Sequence, residues 1–154
     1  MRKRNGKMIR QANEKDCARI AEIEVFNYRL HFYPIFRNDE FYFDELQVPS
    51  LIAEYQQREA LLHTTYVYDD GALKGFIRIA GEEIVKLFVE PVLQGQGIGA
   101  ALLEYAVGEK NARCLWALEK NARAIAFYQR HGFALTGERK LEEDTTEYLV
   151  KMFR

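Results

Sequence analysis

A chain of 154 residues can bury the core of one domain and is too short for two comfortable ones, so a single domain over 1–154 is expected. Its 22 basic and 23 acidic residues leave a net charge of −1, which argues for neither a nucleic-acid nor a membrane surface. Two distant cysteines, Cys17 and Cys114, read as small buried residues and exclude a disulfide framework or a metal site.

No apolar run approaches a membrane span and the start lacks a signal-peptide apolar core, so a cytoplasmic protein is the default expectation. The basic cluster Arg2, Lys3, Arg4 and Lys7 reads as a disordered, solvated end. A first strand is predicted over 8–12. Asn13 then caps an amphipathic helix carrying Ile20, Ile23 and Val25. An aromatic segment follows, with Phe26, Tyr28, Phe32, Tyr33, Phe36, Phe41, Tyr42 and Phe43, broken by Pro34. Most of these rings are expected in the core, with a pocket wall as the alternative.

Pro49 opens another helix, predicted to run through Leu61 and Leu62. Residues 64–68 and 73–79 form a hairpin around Asp69, Asp70 and Gly71, and Gly81 turns the chain into a strand at 83–89. A helix carries Leu102, Leu103 and Val107, a strand spans 114–118, and Asn121 caps an Ala-rich helix that Gly132 stops. Strands at 133–139 and 146–153 flank the acidic turn Glu142, Glu143 and Asp144. The order β-α-α-β-β-β-α-β-α-β-β predicts an α/β (α+β) fold, a mixed sheet with helices on both faces.

The stretch Gln94-Gly95-Gln96-Gly97-Ile98-Gly99 joins a strand to a helix. Its glycines let the backbone turn sharply, and the first N–H groups of the following helix suit a phosphate or pyrophosphate. A P-loop needs Gly-Lys-Ser/Thr, and here Ala100 and Ala101 follow Gly99; a dinucleotide fingerprint would need one more residue before its last glycine. The stretch resembles the acyl-CoA loop of the GNAT superfamily of N-acetyltransferases, Gln/Arg-x-x-Gly-x-Gly/Ala, matched by Gln94, Gly97 and Gly99 with Val89 and Pro91 before it. Downstream, Asn121, Ala124, Phe127, Tyr128, Gly132 and Phe133 match the second GNAT signature at the expected distance, and the element order extends the resemblance over essentially the whole chain.

The resemblance implies a mostly antiparallel twisted sheet of six or seven strands, with acetyl-CoA held where two parallel strands, 83–89 and 115–118, splay apart. Backbone groups of Phe88 and Val89 would pair with the pantetheine arm. The loop 94–99, including Gly95, Gln96 and Ile98, would hold the pyrophosphate, and Asn121 and Phe127 would touch the arm. Tyr128 stands at the family's general-acid position. Glu83, eleven residues before Gln94, matches the catalytic glutamate of the histone-acetylating branch, with Glu24 and His31 as other candidate bases. The implied activity is transfer of the acetyl group from acetyl-CoA to a primary amine; the alternative is a non-catalytic acyl-CoA-binding or regulatory domain. Aromatics at 26–43 with Asp39, Glu40, Asp44 and Glu45 point to a cationic small molecule or a peptide amine. A homodimer through the C-terminal strands is possible on the same resemblance.

Overall fold

The computed structural model describes residues 8–154, so the basic cluster lies outside the described residues. Strands β1 (Ile9–Gln11), β2 (Thr65–Asp69), β3 (Leu73–Ala80), β4 (Glu83–Val89), β5 (Cys114–Leu118), β6 (Ala134–Leu141) and β7 (Tyr148–Phe153) form one seven-stranded sheet in the order β1-β2-β3-β4-β5-β7-β6. Neighbouring strands are antiparallel except β4 and β5, which run parallel.

Asn13 begins the first helical segment. Its side chain accepts the Lys15 N–H, and the Asp16 carboxylate accepts the Asn13 N–H at 2.8 Å, a reciprocal cap. One 3₁₀ turn leads into α1 (Cys17–Asn27), which widens into a π turn at Tyr28–Phe32. After α2 (Tyr33–Phe36), Arg37 adopts a left-handed φ of 52°, and a second π turn spans Phe41–Glu45. The predicted helix from Pro49 through Leu62 is two helices, α3 (Val48–Gln57) and α4 (Ala60–His63), because Arg58 leaves helical geometry at φ −123° and ψ 67°. The helices flanking β5 are α5 (Ile98–Lys110) and α6 (Ala122–Arg130).

Alternation along the strands builds two cores. On one face, Ile20 and Ile23 of α1 and Tyr55 of α3 pack on Val67 and Phe76. On the other, Leu102 and Leu103 of α5 pack on Ile77, Val89 and Leu115, with Phe127 and Tyr128 of α6 against the same cluster. Cys17 is buried, but Cys114 is only partly so, because it sits where β5 begins.

Gly75 lets α5 close on the sheet. A Cβ there would stand 2.9 Å from the Phe88 carbonyl oxygen, 3.2 Å from Leu102 Cδ1 and 3.3 Å from Ile98 Cγ2. The carbonyl belongs to a paired strand and cannot swing aside. Gly75→Ala is therefore expected to lower stability by about 1–3 kcal/mol, read as an earlier urea midpoint.

Candidate active site

The parallel ladder between β4 and β5 holds only at Glu83↔Cys114 and Ile84↔Leu115. The register of β4 on β3 passes from Lys86↔Arg78 to Ile84↔Ile79, which leaves Val85 bulged out of the pairing. Beyond the bulge the two parallel strands separate. The Glu90 N–H donates to Lys74 O, so by alternation the backbone groups of Phe88 turn to β3 while those of Leu87 and Val89 face the opening. This corrects the expectation for Phe88, whose place on the open edge falls to Leu87. The Phe88 ring instead joins the aromatic wall.

A cavity of about 960 Å³ fills the opening. At one end stands the glycine loop. Gly95 and Gly97 take φ of +80° and +86°, which only glycine adopts without strain, and Gly99 lies where a Cβ would rest 3.5 Å from the Phe127 ring. The first helical bond of α5 runs from the Ala101 N–H to Gly97 O. No hydrogen bond among the described residues uses the N–H groups between Gly95 and Ala100, so they form an open cluster of donors at a helix N-terminus. Gln96 is exposed and Ile98 is buried in the core beneath the loop.

Gln94 is turned inward. Its Nε2 lies 3.0 Å from Asn27 Oδ1, 3.2 Å from Val89 O and 3.4 Å from His31 Nε2. The buried Asn27 also donates to Val89 O at 2.9 Å and to Ile23 O. The end of α1, the last residue of β4 and the glycine loop are thus tied through two amides. Nothing in the sequence around Asn27 marked it for this place.

Tyr128 and Phe127 project from α6, whose first turn Asn121 caps by accepting the Ala124 N–H at 3.2 Å. The Tyr128 hydroxyl opens on the cavity and has no hydrogen-bond partner among the described residues. Burial raises its pKa, so the phenol keeps its proton at neutral pH. Arg123 lines the cavity from the same helix.

The aromatic segment forms the far wall, with Tyr28, Phe32, Phe36, Phe41 and Tyr42 on the cavity. Only Tyr42 is fully buried, where burial pushes its pKa up to about 12, while Phe26 and Phe43 are exposed. The expectation that most of these rings belong to the core is corrected: the π turns aim them across the cavity. The acidic residues at its edge are Glu142, Glu143 and Asp144 of the β6–β7 turn, and Asp39, Glu40, Asp44 and Glu45 lie off it. The sequence displayed the charge of that turn but not its position, which the β5–β7 pairing sets.

The candidate bases separate. Glu83 sits at the closed end of the strand pair, opposite Ala80 and Cys114, and does not line the cavity. Glu24 is buried beneath the wall, where Tyr55 Oη donates to it at 2.7 Å and Lys86 Nζ at 2.7 Å. His31 lines the cavity, and burial with the Arg123 cation nearby lowers its pKa below the ordinary 6.5. Among the described residues no group of three or more His, Cys, Asp and Glu side chains is placed to hold a metal ion, and no helix is long and apolar enough to cross a membrane.

A family profile described as an acetyltransferase (GNAT) domain matches residues 62–135, the span that contains β4, the glycine loop and Tyr128. That match covers just under half of the chain and supports a GNAT-type acetyltransferase domain over this span. It is similar to the peptidyl-lysine N-acetyltransferase YjaB of Salmonella typhimurium, 34% identical over 77 residues, which cover 50% of this chain. The chain spans 53% of that relative's length. Two solved structures share the fold. The N-acetyltransferase of Staphylococcus aureus Mu50 aligns with a TM-score of 0.77 at 14% identity, over 96% of this chain and 100% of that one. The PaiA N-acetyltransferase of Thermoplasma acidophilum, in complex with coenzyme A, aligns with a TM-score of 0.65 at 20% identity, over 95% and 98%. The seven-stranded mixed sheet with one parallel, early-ending pair is the GNAT arrangement that the sequence resemblance implied.

His31 should titrate below 6.5 by NMR, because burial and the Arg123 cation both disfavour the imidazolium. The unfolded chain holds more protons than the folded one in the window below 6.5. Stability should therefore rise with pH across that window and fall on acidification through it, a slope that His31→Asn removes.

Proposed function

We propose that this protein transfers the acetyl group of acetyl-CoA to a cationic primary amine, both substrates bound together in the cavity. The observation that carries the reading is continuity: one cavity runs from the open N–H cluster at Gly95–Ala100, along the unpaired edge of β4, to the unpartnered Tyr128 hydroxyl. The donors suit a pyrophosphate. The edge suits an amide-bearing arm, because the Leu87 N–H and C=O and the Val89 N–H lack the strand partner that parallel pairing would supply. Asn121 and Phe127 stand beside that arm. The PaiA structure holds coenzyme A in the same fold, which supports the assignment.

The chemistry then divides among few groups. An alkylammonium must lose a proton before its nitrogen can attack, and His31 is a neutral imidazole on the cavity wall able to take it. Glu83, off the cavity, is replaced in that role. As the amine adds to the thioester, a backbone N–H on the β4 edge faces the oxygen that gains charge. The carbon–sulfur bond breaks, and the Tyr128 phenol donates a hydrogen bond to the departing thiolate. A phenol is a weaker acid than a thiol, so the sulfur's final proton comes from the attacking nitrogen, passed through or beside Tyr128. Aromatic rings with an acidic edge favour a cation as acceptor. A peptidyl lysine, the acceptor named for the Salmonella relative, has that chemistry.

The reading is tested by thiol release from acetyl-CoA against lysine peptides and small amines. Tyr128→Phe is expected to cut kcat by about a hundredfold or more while acetyl-CoA binding by calorimetry persists. Full turnover in that variant would remove Tyr128 from the mechanism. Replacing Glu142 and Glu143 with Gln should raise KM for a cationic amine several-fold and change kcat little.

A further inference from the structure

We propose that Lys86 is itself an acceptor: the protein acetylates this side chain from its own bound acetyl-CoA. The inference rests on the acetyl-CoA reading above. Lys86 is the one lysine among the described residues that lines the cavity. It follows the bulged Val85, on the sheet face that α1 and the aromatic wall cover. Its Nζ lies 2.7 Å from the buried Glu24 carboxylate and 5.4 Å from the centroid of the Tyr28 ring. A carboxylate to receive the proton and a ring face to hold the cation are what a lysine acceptor requires, and here a lysine already occupies them.

Position along β4 strengthens the case. An arm anchored at the glycine loop and paired with Val89 and Leu87 runs toward the closed end of the strand pair at Ile84. Its thioester terminus then arrives at the level of Val85 and Lys86, about 10 Å down the strand from Val89. Lys86 is covalently fixed at that level, so its encounter with the thioester is intramolecular and not diffusional.

The step balances without a further reactant. Glu24 takes one proton from the Lys86 ammonium, and the neutral Nζ attacks the thioester carbonyl carbon. A nitrogen–carbon bond forms, the carbon–sulfur bond breaks, and the second Nζ proton goes to the departing sulfur, with Tyr128 hydrogen-bonded to it. The products are acetyl-Lys86, the free thiol of coenzyme A and a protonated Glu24, which returns its proton to water. Acetylation removes the cation and places an amide at the acceptor end of the cavity, so the modified protein is a slower enzyme toward external amines.

The test incubates the protein with acetyl-CoA and no added amine, and follows intact mass and a peptide map. One acetyl group is expected on Lys86, at a rate independent of protein concentration and more than about tenfold above that of any other lysine. Lys86→Arg keeps a cation for Glu24 and should abolish the mass gain, and its circular dichroism checks that it folds. The wild-type peptide map decides the question without that variant. An unmodified Lys86 in a sample that binds acetyl-CoA and acetylates an added amine overturns self-acetylation and leaves the acetyltransferase reading standing. Equal modification of Lys86 and surface lysines overturns it too, as ordinary solution chemistry. A sample that binds no acetyl-CoA overturns both.

Discussion

Two pairs of residues hold β4 to β5, and the site depends on the ladder stopping there. Had the parallel pairing continued to Val89, its backbone groups would be spent on β5 and no cavity would separate the strands. The bulge at Val85 shifts the register of β4 on β3 just past the last parallel pair and re-aims Lys86, Leu87 and Phe88. An unpaired backbone group kept from water costs about 1–3 kcal/mol, so the edge stays open only because it borders a cavity that admits solvent or a ligand. The Val89 carbonyl, at the mouth, is instead satisfied by Asn27 and Gln94. The same two amides fix the glycine loop to the end of α1.

The other constraint lies beneath the aromatic wall. Arg78 donates to Thr65 and to the Tyr55 hydroxyl, which donates to Glu24, which also receives Lys86. Lys86 bonds the buried carboxylate directly, Arg78 reaches it only through the Tyr55 hydroxyl, and every member bonds to a neighbour from a different element. Such a network adds little net stability compared with an apolar core, but removing one partner strands the others. Its effect is positional, because it sets α1 and α3 on the sheet and so determines where the rings that follow α1 point.

Much of the architecture was legible because it is local. β4, β5 and the capped helix after Asn121 fall where alternation, a cap and a glycine stop place them. The glycine loop adopts the left-handed turns its composition required. The aromatic segment was harder. Periodicity marks rings as apolar, but two π turns and the left-handed Arg37 decide which way they point. Glu83 illustrates the same limit: its spacing from Gln94 fits a family pattern, yet its place opposite Cys114 at the closed end of the strand pair keeps it off the cavity.

The sequence by itself determined the strands, most of the helices, the phosphate-suited loop and the resemblance to the GNAT family, since caps, turns and periodicity act over a few neighbouring residues. Tertiary structure alone decided which groups meet. Asn27 reaches Gln94 across 67 positions, Lys86 reaches Glu24 across 62, and the acidic turn at Glu142 comes to the cavity through strand pairing far from the glycine loop. Contacts at such separations are fixed by the register of the sheet and the packing of α1 upon it. No short-range propensity encodes either.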